Sequence, residues 1–144
     1  MQIDETDRAL LALLEENARL PVSALARRMG LARTTVQARL ERLESTGAIQ
    51  GYSVRLNERL RLPLRATVLV SIEPRSGPAV LARLKTLAEV RRVHTTSGRF
   101  DLIVIVEAAS TEALDEVLDR IGDAKGVKSS ESLIHLSTKL RRGS

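Results

Sequence analysis

The spacing of apolar residues changes period once along this chain, and that change constrains the fold more than any single motif does. From Asp4 to about Thr46 the spacing is helical. Ile3, Leu10, Leu11, Leu13 and Leu14 suit one helix, and Val22, Leu25, Ala26 and Met29 follow a three-and-four spacing on a second. Val36, Leu40 and Leu43 do the same on a third, which Gly47 is expected to end as a left-handed cap. The breaks, ENARLP and MGLA, are short. From Leu64 onward the pattern becomes short apolar runs separated by polar helical stretches. RATVLVSI (Arg65–Ile72) reads as a strand, and PAVLARLKTLAEV as a helix with Pro78 in its first turn. VRRVHTTS and FDLIVIVEA read as two further strands. STEALDEVLDRI (Ser110–Ile121) is a helix that Ser110 or Thr111 can cap, and VKSSESLIHLSTKL a last strand. The order β-α-β-β-α-β is that of a ferredoxin-like plait.

Between the two patterns, GYSVRLNERLRLPL reads as a strand and then a connector ending at Pro63. The expected organisation is therefore a helical domain over 1–50, a linker strand and connector over 51–62, and an α+β domain over 63–144. A chain of 144 residues has room for two such small domains. Apolar residues make up 43% but aromatics only 1%, so the cores must be built from Leu, Val, Ile and Ala.

Charge and chemistry narrow the function. The formal charge is +5, and 19 of the 23 basic residues are Arg, which permits a polyanionic partner and equally follows from GC-rich coding. Absence of cysteine excludes disulfides, thiol catalysis and Cys-based metal sites. His94 and His135 are too few and too isolated for a metal site. There is no nucleophile–base pairing, Gly-rich phosphate loop or supported carboxylate pair, so neither an enzyme nor a cofactor is expected. MQIDETDRALLALLEE is acidic and amphipathic, unlike a signal peptide, and no apolar run approaches the ~18 residues that span a membrane. A cytoplasmic, nucleoid-associated protein with no membrane partner is the expectation.

The segment LARRMGLARTTVQARLERLESTGAIQGY carries the most specific pattern: two helices joined by a short turn containing Gly30, the helix-turn-helix arrangement. With Val36, Leu40 and Leu43 on the core side, Arg33, Thr34, Gln37 and Glu41 fall on another face, flanked by Arg39 and Arg42. That face suits a major groove, since Arg can fork onto guanine, Gln onto adenine, and Thr can touch a phosphate or a thymine methyl. Between Asn17 and Leu43, six arginines (Arg19, Arg27, Arg28, Arg33, Arg39, Arg42) face one acid, Glu41. The candidate DNA-binding residues are Arg27, Arg28, Arg33, Thr34, Thr35, Gln37 and Arg39; the competing reading is a three-helix bundle with a solvated basic face.

In the second half, TTSGRFDLIV holds the other candidate site. Gly98 permits a turn that other residues resist, Arg99 can pair with an anion and Asp101 with an ammonium. An amino acid carries one of each charge, although SGRFD also reads simply as a hairpin turn. Both alternating sets of Arg65–Ile72 and Leu102–Val106 are apolar, which implies two covered sheet faces. Helices can cover one, and a second subunit's sheet the other, so a homodimer is expected.

IDETDRALLALLEENAR, LARRMGLARTTVQARLERLESTGAIQGY, SGRFDLIV and GVKSSESLI, in this order through nearly the whole chain, resemble the Lrp/AsnC (feast/famine) transcription regulators. The resemblance implies an α+β fold. Its parts are an N-terminal helix-turn-helix, winged-helix-like domain, a linker strand, and a ferredoxin-like βαββαβ (RAM) domain that binds effector and oligomerises. It further implies double-stranded DNA and a small-molecule effector, an amino acid, as partners, and homodimers assembling into tetramers or octamers. Carried over residue by residue, the effector site is Ser97, Gly98, Arg99, Phe100 and Asp101, with Ser130 and Ser132 on the last strand. Leu133, Ile134 and His135 fall where effector response is often set. Two positions depart from the family pattern: Ala32 stands where a Ser usually caps the recognition helix, and Pro21 where a polar cap is common. Losing a cap costs about 1 kcal/mol. The alternatives are an effector-independent architectural DNA binder and an amino-acid-sensing regulatory subunit of a metabolic enzyme.

Overall fold

The computed structural model describes residues 2–142. The chain divides after Arg55 into two compact units, each with its own core.

The first unit is three helices. α1 (Glu5–Glu16) starts on a reciprocal cap: Asp4 accepts from the Asp7 amide at 2.8 Å, and Asp7 accepts from the Asp4 amide at 3.3 Å. α2 (Val22–Met29) follows Pro21 with no side-chain cap and ends at Gly30, whose φ of +67° is one that glycine adopts without steric cost. α3 (Arg33–Ser45) follows Ala32, again with no side-chain cap. Its end is the one expected, with Gly47 just past it at φ +80°. Leu10, Leu14, Leu25, Ala26, Val36 and Leu43 are buried together, with Leu40 half-buried against them. Among the described residues, no strand follows α3 within this unit.

In the second unit a four-stranded sheet carries two helices. Its elements are β1 (Leu64–Ile72), α4 (Gly77–Lys85), β2 (Val90–Thr95), β3 (Leu102–Ala108), α5 (Thr111–Gly122) and β4 (Val127–Ile134). Strand order β2-β3-β1-β4, antiparallel throughout, is the ferredoxin-like plait that the order of elements predicts. Ala66, Val68, Val70, Leu102, Val104 and Val106 pack under Val80, Leu84, Leu114, Val117 and Ile121 of the helices. The other face, with Thr67, Leu69, Ile103 and Ile105, stays half-exposed.

Three elements differ from their predicted extents. α4 stops at Lys85 instead of running on towards Val90, because Val90 is already paired with Val106 in the sheet. β4 stops at Ile134 because its partner runs out: the last bond joins the His135 amide to the Arg65 carbonyl at 2.9 Å, two residues from Pro63. The linker strand read in residues 51–62 is absent among the described residues, which there form only a 3-10 turn at Glu58–Leu60. Tyr52, Val54 and Leu56 alternate as strand residues do, but they meet no partner strand and remain exposed.

Candidate functional sites

The first candidate site is the outer face of α3. Val36 and Leu43 point into the core, which leaves Arg33, Thr34, Thr35, Gln37, Ala38 and Glu41 exposed. Arg27 and Arg28, in the last turn of α2, are exposed as well. Without a side-chain cap, the first-turn amides of α3 face solvent, a suitable place for an anion. Gln37 Nε2 donates to Glu41 Oε1 at 2.9 Å, one helical turn on.

Arg39, one of the predicted set, is ion-paired within the helical unit. Its Nη1 donates to Asp4 at 2.7 Å and to Asp7 at 3.0 Å, and its side chain is only about a quarter exposed. Arg42 Nη2 meets the other Asp7 oxygen at 2.6 Å. The two guanidiniums therefore tie α3 to the start of α1. Asp7 is wholly buried, the one buried polar or charged residue among those described. The hydrogen bond from Arg39, then the Asp7 amide, lower the Asp4 carboxyl to about 2, and the Arg39 guanidinium is raised in turn by Asp4 and then Asp7. The capping pattern Asp4-Glu5-Thr6-Asp7 was present in the sequence; the long-range partners of these acids were not.

The second candidate site is the loop before β3. Gly98 sits at φ +108° with open space where a Cβ would be, so the glycine serves the turn. The loop is held from below. The Thr96 amide donates to the Asp101 carbonyl at 2.9 Å, and Thr96 Oγ1 to the Phe100 carbonyl at 2.7 Å. Ser71 Oγ donates to the Arg99 carbonyl at 3.3 Å. Asp101 is pinned twice to β1: its Oδ2 accepts from the Ile72 amide at 2.9 Å, and its amide donates to the Val70 carbonyl at 2.8 Å. One oxygen of the carboxylate predicted to take an ammonium is thus already engaged in holding the loop. The Arg99 guanidinium lies 5.0 Å over the Phe100 ring, a cation–π contact that leaves its charge exposed. Among the described residues, none accepts from the amides of Ser97, Gly98, Arg99 or Phe100.

Ser130 and Ser132 stand across β1 from this loop. Leu102 pairs with Val70 and Val70 with Ser130, which puts loop and Ser130 on either side of one strand at the same end of the sheet. Ser132 pairs with Val68, one pleat repeat away. Sharing the register of Val68 and Val70, both serines lean to the helix side, and a Cβ at Gly122 of α5 would come within 3.4 Å of Ser130 Oγ. His135 lies on the opposite face, with Nε2 2.8 Å from Thr67 Oγ1.

At the other end of the sheet, Glu107 receives Arg61 at 3.1 Å and Arg91 at 3.4 Å, while Glu58 receives Arg65 at 2.8 Å and Arg141 at 3.2 Å. The hydrogen bond from Arg65 lowers the Glu58 carboxyl. Four arginines that swell the positive charge of the sequence are thereby occupied within their own unit.

Two family models match the chain: an AsnC-type helix-turn-helix domain over residues 3–44, and an Lrp/AsnC ligand binding domain over residues 65–144. The transcriptional regulator LrpA of Mycobacterium tuberculosis is 35% identical over 134 residues, covering 92% of this chain and 89% of that protein. The solved structure of AsnC from E. coli superposes with a TM-score of 0.88 at 28% identity, covering 99% of this chain and 97% of that one. A feast or famine regulatory protein of M. tuberculosis, solved in complex with L-methionine, gives a TM-score of 0.86 at 35% identity, covering 97% of this chain and 96% of that one.

Proposed function

The chain belongs to the Lrp/AsnC family of transcriptional regulators, and from that premise we propose that it is a sequence-specific regulator whose DNA binding or assembly responds to an amino acid. The observation that carries the reading is the outer face of α3, where Arg33, Thr34, Thr35 and Gln37 stand clear of the core beside uncapped helix amides. Arg27 and Arg28 of α2 add phosphate contacts, while Arg33 and Gln37 read base edges. Arg39 is left out of this set because Asp4 and Asp7 hold it.

The loop from Ser97 to Phe100 supports the effector half of the reading. Its unoccupied amides and Arg99 suit a carboxylate and the free oxygen of Asp101 suits an ammonium, while the hydroxyls of Ser130 and Ser132, on the far side of β1, offer separate polar contacts. The half-exposed sheet face around Leu69, Ile103 and Ile105 is the surface through which a homodimer forms, with tetramers or octamers built from dimers. The protein then works on the cell's own DNA, in the cytoplasm.

The reading is tested in two steps. In gel-shift titrations on a selected operator, Arg33→Ala and Gln37→Ala weaken specific binding while light scattering reports unchanged assembly; unchanged affinity for both variants refutes the assignment. Calorimetry with each of the twenty amino acids then gives heat with at least one, and Gly98→Glu removes it. Absence of heat with all twenty would leave an effector-independent architectural binder.

A further inference from the structure

Val22, the first residue of α2, and Ala38, on the exposed face of α3, floor an open depression of about 440 Å³ rimmed by Arg33, Thr34, Gln37 and Glu41. Its base is apolar and its rim polar, a combination that a solvated helix face does not need. The Gln37 amide on this rim has a preferred orientation. Its Nε2 donates to Glu41 Oε1 at 2.9 Å, and a flipped amide would set its oxygen against the carboxylate, acceptor to acceptor. Held this way, Gln37 offers outward an acceptor, Oε1, beside a donor, the second N–H of Nε2. Adenine presents the complement on its major-groove edge, the N6 donor and N7 acceptor, whereas guanine presents two acceptors and meets Oε1 unfavourably. The apolar floor has a counterpart too, because the thymine C5-methyl is the one apolar group exposed in the major groove.

We propose that Glu41 is a positioning residue that fixes the Gln37 amide for adenine, and that Val22 and Ala38 receive the methyl group of a thymine in the same A·T-containing step. The proposal rests on the DNA-binding reading and deepens it: it names which bases this face selects and assigns roles to three residues, Val22, Ala38 and Glu41, that need touch no phosphate. Glu41 acts against affinity for the polyanion, as any carboxylate on this face must. Its presence on the outer face of α3 is accounted for by what it does to its neighbour.

The experiment uses the full chain and a library of randomised duplex DNA, selected in parallel with wild type, Gln37→Ala, Glu41→Ala and Glu41→Gln. Both positions are exposed, so the helical core is left intact. Wild type enriches an A·T step whose adenine is favoured about tenfold over other bases. That preference disappears in Gln37→Ala and falls severalfold in Glu41→Ala. It returns only in part in Glu41→Gln, whose amide can accept from Gln37 Nε2 or, turned over, donate to Gln37 Oε1, and so holds either orientation. On the selected duplex, replacing the thymine by uracil removes only the methyl and weakens wild-type binding about fourfold, the value of one buried methyl group. Ala38→Ser narrows this thymine–uracil difference. An enriched motif without the A·T step, equal affinity for thymine and uracil duplexes, or full adenine preference in Glu41→Ala overturns the proposal. So does a cytosine preference that Glu41→Gln abolishes, since Glu41 would then read a base itself. A protein that retains no duplex from the library at all would overturn instead the DNA-binding reading beneath it.

Discussion

Replacing Asp7 by Asn isolates the most consequential polar contact in the helical unit. The side chain keeps its shape and its burial, so no cavity is opened. What changes is the partner offered to two guanidiniums: Arg42 at 2.6 Å and Arg39 at 3.0 Å lose a carboxylate and face one oxygen and an NH₂ group. A hydrogen bond to a charged group contributes about 1.5–3 kcal/mol. Part of this is recovered, because Arg39 keeps Asp4 at 2.7 Å and Arg42 is half-exposed to water. The net cost is then about 2 kcal/mol, for a unit of this size whose whole stability is roughly 3–8 kcal/mol. Urea unfolding followed by circular dichroism reads it, with a midpoint lower by about 2 M at a slope of ~1 kcal/mol/M. Hydrogen exchange on peptides from residues 5–45 locates the loss in α1 and α3. A destabilisation below about 0.5 kcal/mol would refute the reasoning. So would full additivity of Asp7→Asn with Arg42→Ala, because contacting partners must couple.

The Asp4 carboxyl, lowered from its usual 3.8 to about 2, binds its proton less readily in the folded than in the unfolded state. Its contribution is therefore complete above the usual value and is lost as pH falls towards 2. Thermal midpoints of the helical unit should drop through that window, and the drop should be shallower in Asp4→Asn. Arg28→Ala should reduce the slope of log affinity against log salt by about 1, while Arg39→Ala lowers stability and leaves the slope unchanged; equal slopes for both variants would return Arg39 to the DNA. Gly126→Ala should cost the sheet unit about 2–4 kcal/mol, since φ is +96° there and the new Cβ would lie 2.7 Å from Ser76 Cβ. A melting temperature within error of wild type would count against that placement.

Periodicity made the element order and the sheet topology readable, because helix and strand repeats differ and consecutive short runs leave few ways to build a plait. It failed where an element's length is set by a distant partner. The apolar alternation of β4 runs on to Leu140, but its ladder to β1 ends with the bond from the His135 amide to the Arg65 carbonyl, one residue from the start of β1. Residues 51–62 carry strand alternation and find no second strand among the described residues. The site residues divide in the same way. Which face of α3 is outward follows from three apolar positions, whereas the withdrawal of Arg39 depends on acids more than thirty residues earlier. Counting arginines overstated the available charge for the same reason: ion pairs across the fold are invisible to spacing. The double attachment of Asp101 to β1 also has no local sequence signal, since Val70 and Ile72 lie about thirty residues before it.

That attachment bears on how a bound molecule can be felt elsewhere. β1 is the strand between the candidate loop and Ser130, laddered on both edges and fastened at its end by a backbone bond and a carboxylate. A strand secured along both sides has no room to slip, because one residue of slippage would turn its buried side chains outward. The scaffold under the loop is therefore stiff. A ligand seated there would find little room to deform the sheet beneath it. On the proposed reading, a rigid seat of this kind would make the response a matter of which neighbours dock, with the fold of each subunit conserved through the change.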